Sequence, residues 1–250
     1  MSHITEWKKI LPLIIVFASL NVVCDSVVGI PQFSSGVWYS WIFIVEPITG
    51  IILGAYAGFL STLIGVMIGH FIYFRGIHEF LFTIGAPVGA MVSGLMFRGK
   101  WKPVFAYYTV LLVTYFITPI AWQLPIWGMW NTYFAYICVA ILIIIGKKAW
   151  KLESSKLPYT LTLSAFIGLE ADILFRIFIF IPCQTYQLFY GFTIEALQYI
   201  WYTAALTTPI QVAMSALATA IVGPPLIKVL KNMAFAREPK KGSQEAKVQA

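Results

Sequence analysis

Ionisable side chains are rare within the long apolar stretches of this sequence, and the few that occur there are the first candidates for chemistry. Glu170, Asp172 and Arg176 fall within two helical turns, and Glu46 directly precedes Pro47. A charge at membrane depth is costly unless it is paired or hydrated, so such residues are candidates for function. Asp172 and Arg176 are spaced to pair on one helix face, whereas Glu170 is predicted to face another helix. Two interpretations stay open: a buried pair that fixes helix register, or a polar patch in the wall of a ligand site.

A second group of residues combines aromatic rings with amides near the ends of the apolar stretches. Aromatic residues at this depth often form a belt at the lipid headgroups. The amides add hydrogen-bond donors and acceptors beside ring faces, which a small polar ligand needs. A belt alone and a belt with a pocket are both open interpretations. If there is a pocket, the predicted substrate-binding residues are Trp41, Glu46, Trp122, Gln123, Trp130, Glu170, Arg176, Gln198 and Tyr202. Glu170 is expected to form the floor only if the cavity is deep.

Several chemistries are not supported by the sequence. The phosphate-binding loop GxxxxGK[ST] is absent, so the chain is not expected to hydrolyse ATP. The three cysteines have no CxxC spacing and no neighbouring histidines, and we expect no metal or other cofactor. Asp172-x-x-x-Arg176, preceded by Glu170, resembles part of the Glu-Glu-x-x-x-Arg motif of CAAX-type intramembrane proteases. An intramembrane enzyme is therefore one alternative function.

The composition identifies the elements that position these residues. Hydrophobic residues make up 60% of the 250 residues and charged residues 11%, and the mean hydropathy is +0.82. Residues 103–146 contain no charged side chain over 44 positions, and residues 47–74 contain none over 28. About 20 apolar residues cross a bilayer, so the fold class is predicted to be all-α, a polytopic transmembrane helical bundle. This composition excludes a soluble enzyme and a nucleic-acid-binding protein.

Apolar segments bounded by Pro, Gly or clusters of charged residues predict about eight spans, at 10–30, 38–54, 57–74, 80–97, 104–122, 131–146, 159–181 and 209–230. A further apolar segment at 193–207 is predicted to be a half-helix or part of a structured loop. The stretch 38–74 would form a helix of roughly 55 Å if unbroken, against a bilayer core of about 30 Å. We therefore place a Gly-rich turn at 54–58, which joins two short helices. Residues 1–231 are predicted to be a single transmembrane domain.

The basic residues predict the orientation. With eight spans and a cytoplasmic N-terminus, 15 of the 17 Lys and Arg residues fall on the cytoplasmic side. The predicted location is the cell membrane, with both termini cytoplasmic and the aromatic and amide group on the outer side. Residues 232–250 are polar and without periodicity, and are predicted to be a disordered cytoplasmic tail.

Residues 46–102 carry a pattern that resembles the substrate-binding S component of energy-coupling factor (ECF) transporters. Its parts are a Pro-led short helix at Pro47, a Gly-x-x-x-Gly turn at 54–58, a Gly-rich third helix, and a small-residue helix that ends in basic residues at 98–102. The closing segment PIQVAMSALATAIVGPPLIKVLK is similar to the last span of that family. The resemblance covers about 80 residues.

This resemblance implies binding of a small vitamin-like nutrient in an outward-facing pocket, without enzymatic turnover. Separate subunits, a transmembrane coupling protein and two ATPases, would be the partners, together with membrane lipid. The acidic excess of Glu46, Glu170 and Asp172 over Arg176 favours a neutral or cationic ring-bearing solute. The alternatives are an intramembrane enzyme and a structural subunit of a larger membrane complex.

Overall fold

The computed structural model describes residues 2–29, 40–145 and 157–236, with side chains from residue 10 to residue 230 of those ranges. These residues are nearly all helical, as the composition predicted. Within them no β-strand occurs, and the only extended pairing is an isolated bridge between Val28 and Ser40. All three cysteines carry free thiols, so Cys24 and Cys183 do not form a disulfide.

Ten α-helices lie in the described residues, and two short 3₁₀ turns (Pro119–Gln123 and Ile126–Met129) connect the sixth helix to the seventh. The α-helices are α1 (Ser2–Ser26), α2 (Ile42–Leu53), α3 (Ala55–Ile72), α4 (Glu79–Thr83), α5 (Gly85–Phe97), α6 (Trp101–Ile117), α7 (Trp130–Ile145), α8 (Leu157–Phe180), α9 (Thr185–Leu188) and α10 (Ile194–Ala236).

Four helical segments of the described chain are long and apolar enough to cross a membrane, judged by length and composition: Ala55–Ile72, Glu79–Phe97, Ile126–Ile145 and Ile194–Leu230. Three shorter apolar helices accompany them: Ile10–Ser26, Ile42–Leu53 and Trp101–Ile117. Several helices of this kind are the feature expected of a membrane protein.

The predicted break between the second and third apolar segments is confirmed. Helix α2 ends at Leu53 and α3 begins at Ala55, so the turn is a single residue, Gly54. Gly54 has a φ of +86°, a backbone conformation that residues with a Cβ atom rarely adopt. The Arg98 guanidinium packs against Gly54 and donates a hydrogen bond to the Leu53 carbonyl over 3.4 Å. Glycine is therefore required here both for the turn and for the approach of Arg98.

The segment 193–207 differs from the prediction. It is neither a half-helix nor a loop, because it belongs to α10, which runs unbroken for 43 residues. Pro209 suggested a boundary, but a proline inside a helix removes one backbone hydrogen bond and need not end the helix. Helix α10 also continues to Ala236, five residues into the segment predicted as a tail. Residues 237–250 of that segment lie outside the described residues.

Small residues bring the helices into close contact. A Cβ atom at Gly50 in α2 would overlap the carbonyl oxygen of Ala90 in α5. A Cβ atom at Gly89 in α5 would lie 3.0 Å from the Gly168 carbonyl oxygen in α8. Backbones approach this closely in lipid where side chains are absent, and the resulting packing stabilises the bundle. Helices α5 and α8 are thus held together along the region that carries Asp172 and Arg176.

Candidate functional site

A cavity of about 280 Å³ lies among the helix ends at one side of the bundle. The end of α1, the start of α5 and the end of α8 contribute residues to its wall. The wall contains apolar, aromatic and charged side chains. This combination is typical of a site for a small molecule. The polar residues that line it are Asp25, Ser40, Arg75, Glu79, Thr83, Asn131, Thr132, Asp172, Arg176, Tyr190, Thr208 and Gln211.

One ion pair in the wall joins α1 to the connection that follows α3. Arg75 Nη2 donates a hydrogen bond to Asp25 Oδ2 over 2.6 Å, and the Ser40 hydroxyl donates to Asp25 Oδ1 over 2.9 Å. The Asp25 side chain is 2% exposed and that of Arg75 8%. Arg75 also lies over the Tyr73 ring, 5.7 Å from its centroid. The Asp25 carboxylate is therefore fixed by two donors from two other parts of the chain.

The second ion pair is the one predicted from the i, i+4 spacing, and it is confirmed. Arg176 Nε and Nη2 donate to the two carboxylate oxygens of Asp172 over 2.6 and 2.9 Å. Gly85 of α5 provides the space, since a Cβ atom there would lie 3.1 Å from Arg176 Nε. The bidentate arrangement orients the guanidinium plane, and about a third of the Arg176 side chain stays exposed, so its remaining N–H groups are available.

Glu170 faces another helix, as predicted. Asn131 Nδ2 donates to Glu170 Oε1 over 2.7 Å, and the Thr132 hydroxyl donates to Oε2 over 2.8 Å. Asn131 Nδ2 also lies 3.1 Å from the Thr208 hydroxyl oxygen of α10. Glu170 is completely buried and does not line the cavity, whereas its two donors do. It therefore holds two wall residues in position from behind.

Glu46 is completely buried beneath the cavity. Neither of its carboxylate oxygens has a hydrogen-bond partner in the part of the chain that the structure describes. It packs against Gly89, one helical turn below the start of α5, and Gly89 also allows the Asp172 Cβ atom to approach. Glu46 belongs to the layer directly below the wall residues.

The third charged feature of the wall is Glu79 at the start of α4. It accepts a short hydrogen bond from the Tyr190 hydroxyl, which lies 111 residues further along the chain. Around this contact the rings of Phe82, Phe180, Tyr190 and Phe192 pack with centroid distances of 5.2 to 6.3 Å. Together they form an aromatic wall beside a carboxylate.

Of the nine predicted site residues, Arg176 lines the cavity, and Glu170 and Glu46 lie behind or below its wall. The six aromatic and amide residues, all of them described, lie elsewhere at this end of the bundle. Gln198 donates to the Gln123 carbonyl over 2.9 Å, so these two are brought together. Tyr202 packs on Trp127, and the indole N–H groups of Trp41, Trp122 and Trp130 donate to the carbonyls of Val28, Phe116 and Ala205. Trp122 is 73% exposed, which fits a residue of the aromatic belt.

Three wall residues, Arg75, Glu79 and Thr132, are not among the residues predicted from the sequence. A signal for the first two was present, because Arg75 lies in the short connection between α3 and α4, and Glu79 begins α4. Asp25 lies at the same end of the bundle, so a charge partner near Arg75 was foreseeable. No feature of the sequence around Thr132 indicated that it would be a site residue.

No protein-family model, curated protein or solved structure matches this chain. The functional conclusion therefore rests on the cavity and on the chemistry of its walls.

Proposed function

We propose that the chain is the membrane-embedded substrate-binding subunit of an uptake system for a small vitamin-like nutrient. The observation that carries this proposal is the cavity of about 280 Å³ with its oriented charged groups and aromatic wall. This volume lies close to the lower end of the roughly 300–1,000 Å³ that is usual for ligand pockets, which suits a small solute. Aromatic faces would stack on a ring, and the amide, hydroxyl and charged groups would bind its polar edge.

The distribution of charge supports an outward-facing cavity. The basic residues Arg98, Lys100 and Lys102 follow the end of α5, whereas the cavity lies at its start. Similarly, α10 lines the cavity between Ile200 and Gln211 and carries Lys228 at the other end. By the positive-inside bias, the basic end faces the cytoplasm and the cavity faces out.

The proposed topology in the cell membrane has eight passes, with both termini cytoplasmic. The passes are α1, α2, α3, α4 with α5, α6, α7, α8 and α10. Helix α8 carries Glu170, Asp172 and Arg176, which lowers its hydropathy, but two of these side chains form an ion pair and Glu170 is hydrogen-bonded. Pairing of this kind reduces the cost of charge in a membrane.

The proposed partners are a transmembrane coupling subunit and ATPase subunits, since the sequence lacks a phosphate-binding loop of its own. The contacts among α1, α2, α3 and α5 through small residues are internal packing of this chain. The coupling surface would therefore lie on other helix faces that point to lipid.

The test is to purify the full-length protein in lipid nanodiscs, denature it, and identify any released small molecule by mass spectrometry. Ala204 lines the cavity, and Ala204→Phe places a ring in it. We expect this variant to release at least tenfold less solute than the parent. The matched control Ala213→Phe adds the same ring to an exposed position of the same helix and should release as much as the parent.

Release of no small molecule from the parent would contradict the proposal and favour a structural subunit of a larger complex. Equal loss of solute in both variants would also count against the cavity as the site, because only Ala204→Phe changes the volume of the cavity. Native mass spectrometry of the same samples reports the bound subunits.

A further inference from the structure

The charges that line the cavity do not balance. Among the described residues of the wall, the acids are Asp25, Glu79 and Asp172, and the bases are Arg75 and Arg176. Two of the acids are each neutralised by one arginine. The wall therefore carries one negative charge in excess, and it belongs to Glu79.

Among the described residues Glu79 forms no ion pair; Arg176 interacts with its charge at longer range but is itself bound by Asp172. Its Oε1 atom accepts a hydrogen bond from the Tyr190 hydroxyl, and its Oε2 atom accepts none from any described residue. The carboxylate is half-buried at the edge of the cavity, so water hydrates it only in part. A carboxylate in this position is stabilised by any cation that can reach it.

The side chains around Glu79 suit one type of cation. Phe82, Phe180 and Phe192 pack about the Tyr190 ring, and all four line the cavity. The negative faces of such rings attract an organic ammonium group, whose weak hydration makes its transfer from water less costly than that of a compact ion. A carboxylate beside several rings is thus a site for an ammonium group with carbon substituents.

The two arginines do not make the cavity a site for an anionic solute. Arg75 is 8% exposed and bound to Asp25, and Arg176 is bound by both carboxylate oxygens of Asp172. An anionic solute would add to a wall that is already negative, whereas a monovalent cation brings its net charge to zero.

We propose that the solute bound in this cavity is an organic monocation whose ammonium group contacts Glu79 and the rings of Phe82, Phe180, Tyr190 and Phe192. This inference rests on the proposed function and names the class of its substrate. The rest of the solute extends toward Asn131, Thr132 and Arg176, which hydrogen-bond its polar groups.

The test uses choline and its uncharged isostere 3,3-dimethylbutanol, which has the same shape without the positive charge. Binding of each to the full-length protein in nanodiscs is measured by calorimetry after removal of any bound solute. We expect choline to bind about tenfold more tightly than the isostere, or better. In Glu79→Gln the preference for choline should fall severalfold, to the part that the rings alone provide, while the affinity for the neutral isostere is retained and shows that the cavity is intact.

The matched control is Glu195→Gln, which removes one negative charge from an exposed residue at the same end of the bundle and outside the cavity wall. It should keep the preference for choline. Equal binding of the two compounds by the parent, a preference of undiminished size in Glu79→Gln, or no binding of either compound would overturn the inference. The solute-release assay judges the proposed function separately: release of a neutral or anionic solute upholds that function and overturns the assignment of charge.

Discussion

The two partners of the buried Asp25–Arg75 pair should be energetically coupled, so that removal of both destabilises the protein less than the sum of the two single losses. The pair joins α1 to the connection after α3, and both side chains are more than nine-tenths buried. Loss of one partner leaves a buried charge without its counter-charge, which typically costs about 3–5 kcal/mol. The variants are Arg75→Gln, Asp25→Asn and the double variant, which replace each charged group by a neutral amide.

The structure sets the order of the effects. In Arg75→Gln, the Asp25 carboxylate keeps the hydrogen bond from the Ser40 hydroxyl. The Asp25 side chain is short and fixed on a helix, so it cannot turn toward water, and we expect a loss of about 3 kcal/mol in the free energy of unfolding. In Asp25→Asn, the long Arg75 side chain can turn toward water because it lies in a connection at the end of the bundle. We expect a loss of about 1–2 kcal/mol there. The double variant should lose about 2 kcal/mol less than the sum of the two.

The assay is reversible unfolding of the protein in lipid bicelles by steric trapping, which gives the free energy of unfolding of each variant. Additive losses, with no interaction energy in the cycle, would refute the reasoning that the pair is coupled and desolvated. A larger loss in Asp25→Asn than in Arg75→Gln would refute the argument that Arg75 can reach water.

Two further predictions concern packing and topology. Gly50→Ala should lower the free energy of unfolding by about 3 kcal/mol, because its Cβ atom would lie 2.5 Å from the Ala90 carbonyl carbon. In the control Gly223→Ala, the nearest atoms to the new Cβ atom belong to the flexible Leu161 side chain, so the loss should be less than about 1 kcal/mol. Similar losses in the two variants would show that the contact with the Ala90 backbone does not determine the cost. In a chain without native cysteines, Lys100→Cys should react with a membrane-impermeant thiol reagent only in opened cells and Leu188→Cys in intact cells, and labelling of both from the same side would contradict the proposed orientation.

The sequence by itself determined the features that depend on local spacing. Long apolar stretches predicted helices, and Gly54 marked the break between α2 and α3, because a positive φ is a property of one residue. The i, i+4 spacing of Asp172 and Arg176 predicted their ion pair, and the two-residue offset of Glu170 predicted that it turns to another helix. These predictions follow from the geometry of one helix.

The tertiary structure decided which residues form the cavity. Arg75 reaches Asp25 across 50 positions of the chain, and Tyr190 reaches Glu79 across 111, and no local spacing encodes either contact. The predicted amide of Gln198 instead donates to the backbone carbonyl of Gln123, outside the cavity. In a membrane the lipid and the protein interior are similarly apolar, so hydropathy does not tell which face of a helix turns inward. Only the packing of the helices and their connections against one another selected these side chains.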